Sequence, residues 1–373
     1  MRDPLPWFKL RSVPGIGNHL IKRLIDQFLQ PERVFAASRG DLLQIPGMSP
    51  RLVANLRRHR VPEWVFEDFD LAAARGYGIV TMADGDYPPL LLHLPDPPPY
   101  LFVYGRLTFD EDTIAVVGSR NATAYGISTT RRLSRDLAAR GVTVISGMAL
   151  GIDTAAHEGA LDGGGRTIAV LGSGLERIYP ARNRDLFHAI AAHGAVVSEF
   201  PLRTEPEAYN FPIRNRIISG MARGTVIVEA TKRSGSLITA RLAAEQGREV
   251  FAVPGSIQSF KSTGTHTLIK QGAKLVEHVQ DIFDELPPPA AAAPADGGAT
   301  ARQQDPEPVS LTTEERAVWQ ALEAYPVHID DLARRVALDV SRLSALLMKL
   351  EIRGLVQQAP GKYFTAGGLD PEP

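Results

Sequence analysis

Short apolar runs alternate with amphipathic stretches through the middle of the chain. The runs fall at 114–117, 142–145, 167–171, 195–198, 225–229, 249–253 and 274–276. Short and bounded by turn residues, they read as strands buried on both faces of a parallel sheet. Between them, apolar residues at helical spacing predict helices near 128–140, 153–162, 182–193, 213–222, 236–247 and 266–271. Strand and helix in alternation specify an α/β fold with a doubly wound parallel sheet. Just upstream, a helix over 63–75 leads to an edge strand at 78–82. A proline-rich approach loop, 95–99, then precedes a strand at 100–104, because proline precludes a regular ladder.

The pattern changes at both ends. Residues 9–60 hold a near-repeat: Pro14-Gly15-Ile16-Gly17 opens one amphipathic helix and Pro46-Gly47-Met48-Ser49 opens a second. Each copy is a glycine hairpin before a helix, whose free N–H groups suit a DNA phosphate. The arrangement resembles tandem helix-hairpin-helix (SAM-like) modules; a purely structural helical domain fits the same pattern. The first copy, with Gly15 and Gly17, suits phosphate better than the second, where Ser49 replaces the later glycine. Residues 287–309 are rich in proline and alanine and read as a flexible linker. Three helices near 312–324, 329–337 and 340–354, then a hairpin turning at Pro360-Gly361, outline a winged helix. Its third helix offers Arg342, Lys349 and Arg353 but is mostly apolar, so an interaction or structural role is as well supported as groove reading. The expected domains are 1–75, 76–286, the linker 287–309 and 310–366.

Charge sharpens this division. The net charge of -1 conceals 11 basic against 4 acidic residues in 1–60, and 8 acidic residues against Arg302 alone in 281–315. The basic end suits nucleic acid and the acidic piece a solvated linker. The chain has no cysteine, which excludes disulfides, thiolate metal sites and cysteine nucleophiles. The N-terminus has no apolar signal core and no stretch reaches membrane-spanning length, so a cytoplasmic protein is expected.

Functional loops of such a sheet lie beyond the carboxyl ends of its strands. Here those ends read Gly118-Ser119-Arg120, Ser146-Gly147, Gly172-Ser173-Gly174 and Lys232-Arg233-Ser234-Gly235-Ser236. Glycine, serine and basic residues let a backbone approach closely and donate to phosphate oxygens. The turn after the first of these strands, with a helix N-terminus behind it and Arg120 beside it, is expected to hold an anion. Several such loops along one edge suit a polyanion better than one nucleotide. No G-x-x-x-x-G-K-[ST] occurs, and Gly172-Ser173-Gly174-Leu175-Glu176-Arg177 lacks the third glycine of the dinucleotide fingerprint. Asp153 and His157 stand four apart at a helix start, where a capping Asp and a packed His are the usual arrangement. In Tyr209-Asn210-Phe211-Pro212-Ile213-Arg214-Asn215-Arg216, aromatics precede two arginines, which pairs base stacking with backbone charge as in single-strand binding.

Val117-Gly118-Ser119-Arg120, Ser146-Gly147-Met148-Ala149-Leu150-Gly151-Ile152-Asp153 with His157, and Tyr179-Pro180 with Asn183 come in a set order. Phe211-Pro212-Ile213-Arg214-Asn215-Arg216, Ser234-Gly235-Ser236 and Val253-Pro254-Gly255 follow. In this order the motifs resemble the DNA-processing protein A (DprA/Smf) family over roughly residues 80–285. The resemblance implies an extended Rossmann domain flanked by an N-terminal helical and a C-terminal winged-helix-like domain. It implies a non-enzymatic protein without cofactor or metal that binds single-stranded DNA and helps load the RecA recombinase during natural transformation. Together with the loop chemistry, it assigns DNA contact to Gly118, Ser119, Arg120, Ser146, Gly147, Gly172, Arg182, Asn183, Phe211, Arg214, Asn215, Arg216, Lys232, Ser234, Gly235 and Ser236. It also implies a homodimer through His266, Leu268 and Ile269. Where the family often carries a basic residue before the Phe-Pro segment, this chain has Glu205 and Glu207, with Arg203 nearby. The rival classes are a nucleotide-hydrolysing enzyme of the lysine-decarboxylase-like Rossmann group, whose P-G-G-x-G-T-x-x-E motif is missing, and an interaction scaffold.

Overall fold

A computed structural model describes residues 3–109, 112–286, 311–322, 327–336, 338–353, 355–359 and 362–366. The expected linker, the Pro360-Gly361 turn and the terminal residues of the helices expected to end at 324, 337 and 354 lie outside the described residues. The chain forms two compact units, divided near residue 291.

The first unit opens with six helices: α1 Leu5–Arg11, α2 Asn18–Phe28, α3 Pro31–Ala36, α4 Arg39–Leu43, α5 Pro50–Arg58 and α6 Glu63–Arg75. The near-repeat folds as a cross-braced pair. Gly15 and Gly47 both turn at positive φ, 88° and 96°. Each hairpin packs on the other copy's helix: a Cβ at Gly15 would strike Leu52, and one at Gly47 would lie against Arg23 and Leu20. Asn55 Nδ2 donates to Pro14 O (3.0 Å) and Arg23 Nη1 donates to Pro46 O (2.8 Å). Every partner on one side sits at the repeat offset from its counterpart, so the sequence repeat is a structural pseudo-symmetry.

The strands are β1 Gly78–Thr81, β2 Tyr100–Gly105, β3 Thr113–Gly118, β4 Thr143–Ser146, β5 Thr167–Val170, β6 Ala195–Ser198, β7 Gly224–Val228, β8 Glu249–Ala252 and β9 Lys274–Leu275. They form one sheet in the order β1-β2-β6-β5-β4-β3-β7-β8-β9. From β6 to β9 all pairings are parallel; β1–β2 and β2–β6 are antiparallel. The intervening helices are α7 Ala124–Ala138, α8 Ile152–Asp162, α9 Arg184–His193, α10 Asn210–Gly220, α11 Gly235–Glu245, α12 Thr263–Lys270 and α13 Val279–Phe283. Side chains alternate across the strands. Ala115, Val117, Ile168 and Val170 join Ile217 and Ile218 of α10 and Ala240 of α11 on one face. Ile114, Val116 and Val144 join Leu133, Leu137, Ile152 and Ala156 of α7 and α8 on the other.

The helical module is not separate from this sheet. Phe8 stacks on Tyr100 at 3.7 Å and meets Phe102 edge-on at 5.6 Å. One apolar cluster runs from Trp7 and Leu24 through Tyr100 and Leu171 to Phe187 of α9. The buried Asp68 of α6 accepts a hydrogen bond from Leu202 N at 3.2 Å. The domain limit expected after residue 75 is therefore a limit in the chain, with no break in packing. Periodicity finds each element but says nothing about which faces meet.

In the second unit α14 Thr313–Gln320, α15 Ile329–Val336 and α16 Val340–Ile352 pack on a sheet ordered β10-β12-β11, from Val327–His328, Tyr363–Ala366 and Val356–Ala359. Val318, Leu332, Leu343, Leu347, Leu350 and Phe364 make its core. The two-residue β10 was too short to read from the sequence. Arg342 pairs with Glu314 (2.9 Å) and Arg353 with Glu315 (3.4 Å), so both arginines brace α16 against α14.

The three apolar clusters of the first unit draw on no described residue beyond Leu286. A chain ending at residue 286 should therefore fold and melt cooperatively at the temperature of the full chain's first unit, as read by calorimetry. Aggregation of that fragment would show that the C-terminal unit completes the core.

Candidate nucleic-acid interface

The strand order reverses at β3, with β4 on one side and β7 on the other. In an open α/β sheet the ligand crevice lies at this point, outside the carboxyl ends of the strands. A cleft of about 720 Å³ sits there, lined by the loops after β3 and β7, the start of α10 and the approach to α12.

Arg120 is exposed and its guanidinium lies over the Phe211 ring, 4.9 Å from the centroid. Tyr179, 48% exposed, meets Phe211 at 5.9 Å, and the three side chains form a cationic and aromatic wall. Among the described residues Arg120 makes no ion pair, so its donors face solvent. Gly172 makes this wall possible: a Cβ there would sit 2.7 Å from the Phe211 ring. Gly147 does the same for Arg214, whose Nη2 would lie 2.7 Å from such a Cβ. A Cβ at Gly118 would lie 1.8 Å from Val228 O, so that glycine lets β3 and β7 close together. At each of these glycines the space a Cβ would take is filled by the protein's own groups.

Arg214 and Arg216 were expected to serve DNA together, but two residues apart on α10 they lie about 200° apart around the helix. Arg214 turns inward, donating through Nη1 to Gly147 O (3.0 Å) and to Val170 O, and through Nε to Asn215 Oδ1 (3.2 Å). Burial lowers its pKa to about 10; Asp153 opposes that shift and Arg120 adds to it. Arg216, 8% exposed, donates to Asp96 (2.9 Å) and bidentately to Glu199 (2.8 and 2.6 Å). Those carboxylates occupy its fork.

Ser146 Oγ donates to Val116 O (2.6 Å), and buried Asn183 donates to Met148 O and Thr154 Oγ1, both at 2.9 Å. Ser146 thus ties the end of β4 to β3, and Asn183 braces the loop after β4. Arg182 is exposed on the turn before α9 and Lys232 is exposed after β7; neither lines the cleft. Ser119, Asn215, Ser234, Gly235 and Ser236 do line it.

The anion expected at the start of α7 is already present, and it belongs to the chain. Buried Glu229 places its carboxylate there, accepting from Thr123 N (2.9 Å) and from the Thr123 hydroxyl. Thr123 Oγ1 in turn accepts from Gly126 N (3.1 Å). The helix start is thus satisfied internally.

Asp153 and His157 do not form a pair. Burial raises the Asp153 pKa, against the pull of Arg214, and its carboxylate accepts from Ala149 N (3.3 Å). His157 is held neutral, its pKa lowered to about 3 by burial and then by Arg214. Its Nδ1 meets Thr167 Oγ1 at 2.7 Å, and that hydroxyl donates to Val144 O (2.8 Å), so Nδ1 carries the proton.

The sequence reading named the loop that carries Arg233 but left that residue out of the DNA contacts, and it did not place Phe260 and Lys261; all three line the cleft. Phe260 is 68% exposed, and Lys261 Nζ donates to Asn121 O at 2.6 Å. The adjacent aromatic and base at the carboxyl end of β8 carried the same signal as Phe211 with Arg214. A second cleft, about 760 Å³, lies where the first hairpin, Gly15 to Gly17, faces Glu199, Phe200 and Ile213. Gly17 leaves α2 without a side-chain cap, whereas Ser49 Oγ caps α5 by accepting from Leu52 N (3.3 Å). Of the residues expected at a dimer contact, His266 Nε2 meets Gly255 O (2.9 Å), and Leu268 and Ile269 are half-buried on α12. Among the described residues no helix is long and apolar enough to cross a membrane, and no His, Asp and Glu cluster suits a metal ion.

Comparison with known proteins covers nearly the whole chain. The family profile of DNA recombination-mediator protein A matches residues 78–287, that of the DprA winged helix domain 287–362, and a SAM-like helix-hairpin-helix tandem 9–59. Protein Smf of Synechocystis is 35% identical over 96% of this chain and 97% of its own length. Protein Smf of Escherichia coli is 45% identical over 74% of each chain. Among solved structures, DNA processing protein A of Streptococcus pneumoniae superposes with a TM-score of 0.64 at 36% identity, covering 76% of this chain and 97% of that one. Its Helicobacter pylori counterpart, described for its single-stranded DNA binding mode, gives 0.50 at 30% identity over 56% and 94%. The chain belongs to the DNA-processing protein A (DprA/Smf) family.

Proposed function

We propose that this protein binds single-stranded DNA in the cleft at the β3/β7 switch point, protecting the strand and helping to load the RecA recombinase in transformation and recombination. The observation that carries the reading is the Arg120 guanidinium resting on the half-buried Phe211 ring, its donors free, beside exposed Tyr179. A base stacks on an aromatic face whatever its identity, and a guanidinium binds the adjoining phosphate. The Helicobacter pylori relative, described for binding single-stranded DNA, supports the same class of ligand. The reading includes a homodimer through α12, around His266, Leu268 and Ile269, and action in the cytoplasm. It assigns no catalysis and no cofactor, since Asp153 and His157 are both buried and do not pair with each other.

The test is a titration of labelled single-stranded and duplex oligonucleotides of equal length across salt concentrations. Single strands should bind more tightly, with little dependence on sequence. Each phosphate contact should contribute about 0.7 to the negative log–log salt slope. Equal affinity for duplex, or a slope near zero, would refute the reading.

A further inference from the structure

The loop that follows β8, residues 254–262, is braced on both sides. Tyr125 Oη of α7 donates to Pro254 O (2.9 Å), and His266 Nε2 of α12 meets Gly255 O (2.9 Å). Gly255 packs directly on Ser262, whose Oγ would lie 2.2 Å from a Cβ at that position. At the far end Thr263 Oγ1 donates to Phe260 O (2.7 Å), which fixes the backbone carrying the ring. This braced loop holds Phe260 outward, mostly exposed, on the lip of the switch-point cleft. Among the described residues no second ring packs on it, whereas Phe211 carries Arg120 and Tyr179. A single exposed apolar side chain is ordinary on a protein surface. The position of this one is not.

Lys261 Nζ donates to Asn121 O (2.6 Å), so the residue after Phe260 is tied to the residue after Arg120. The rim of the cleft therefore runs, contact by contact, from Tyr179 to Phe211, to Arg120 and Asn121, and across to Lys261 and Phe260. Aromatic, cation, aromatic is an order that suits a single strand, whose bases stack on rings while a base holds the backbone between them. Arg120, Arg214, Arg233 and Lys261 line this cleft against one carboxylate, Asp153. That charge favours a nucleic acid over an apolar protein segment as the partner of the ring. We propose that Phe260 is a second stacking platform, taking a nucleobase of the same strand that stacks at Phe211, with Arg120 holding a phosphate between the two. This rests on the reading that the cleft holds single-stranded DNA, and it extends the track of the strand to the loop after β8.

Labelled oligo(dT) is titrated with the full chain carrying Phe260→Ala, Phe260→Leu or Phe260→Trp, and each variant is melted without DNA. Phe260→Ala should bind about tenfold more weakly, the contribution of one stacked base. Phe260→Leu should lose as much, because leucine keeps the apolar bulk but has no π-face. Phe260→Trp should bind as tightly as wild type, and its added fluorescence, read against that of Trp7, Trp64 and Trp319, should be quenched by oligo(dT). Melting temperatures should not fall, since the ring is already mostly in water. Ile257→Ala removes a 90% exposed side chain from the same loop, outside the cleft, and should leave affinity unchanged. Wild-type affinity in Phe260→Ala or Phe260→Leu, or an unquenched Phe260→Trp, would overturn the platform alone. So would a loss of binding that only follows a fall in stability, or an equal loss from Ile257→Ala, which would mark the loop as a general apolar contact. Failure of the wild-type protein to bind oligo(dT) would instead bring down the underlying reading.

Discussion

Replacing Arg120 with alanine is expected to weaken single-stranded DNA binding about tenfold to a hundredfold and to leave the fold intact. Arg342→Ala and Lys349→Ala should change binding far less. Arg120 is exposed, makes no ion pair among the described residues, and is held over the Phe211 ring at 4.9 Å. A guanidinium positioned in this way gives up no internal partner when a phosphate arrives. Its charged hydrogen bond is worth about 1.5–3 kcal/mol, which sets the range given. Arg342 is already engaged by Glu314 at 2.9 Å, and exposed Lys349 offers only attraction screened by salt. Titration of a labelled oligonucleotide with each variant, after melts confirm folding, measures the order. Greater loss from the α16 variants would move the binding site off the central sheet.

Which parts of this site the sequence could reveal follows from the range of the interactions involved. The loops after β3 and β7 and the Phe211 segment were legible because each is local: a short apolar run, small residues, then a helix. The Glu229 carboxylate at the start of α7 was not. It follows directly on β7, 106 residues beyond the Thr123 whose N–H it accepts, and no local pattern links them. The glycines were read correctly as places of close approach, but not for what approaches: the Phe211 ring at Gly172 and Arg214 at Gly147. The union of the helical module with the sheet hangs on pairs such as Phe8 and Tyr100, which are also distant in sequence. Helical geometry would have separated Arg214 from Arg216. Placing both on α10 already sends them to opposite sides.

That separation gives Arg216 a role in stability. Its guanidinium joins three parts of the first unit: α10, Asp96 in the proline-rich approach and Glu199 after β6. The side chains of Arg216 and Glu199 are 10% and 8% exposed, so neither charge is compensated by water. Glu199 Oε2 also accepts from Asn18 Nδ2 (3.3 Å), extending the link to the first hairpin of the helical module. A buried pair of this kind adds little over an apolar replacement of the whole, but removing one partner strands the other charge. Arg216→Met is therefore expected to cost about 3–5 kcal/mol, the largest loss of stability foreseen here. Adding Glu199→Gln to Arg216→Met should recover part of it, because the stranded carboxylate is gone. Chemical denaturation of the wild type, both single variants and the double variant measures the coupling. For the protein that remains folded, Arg216→Met should weaken oligonucleotide binding less than Arg120→Ala does. An unchanged denaturation midpoint with tenfold weaker binding would place Arg216 at the DNA after all.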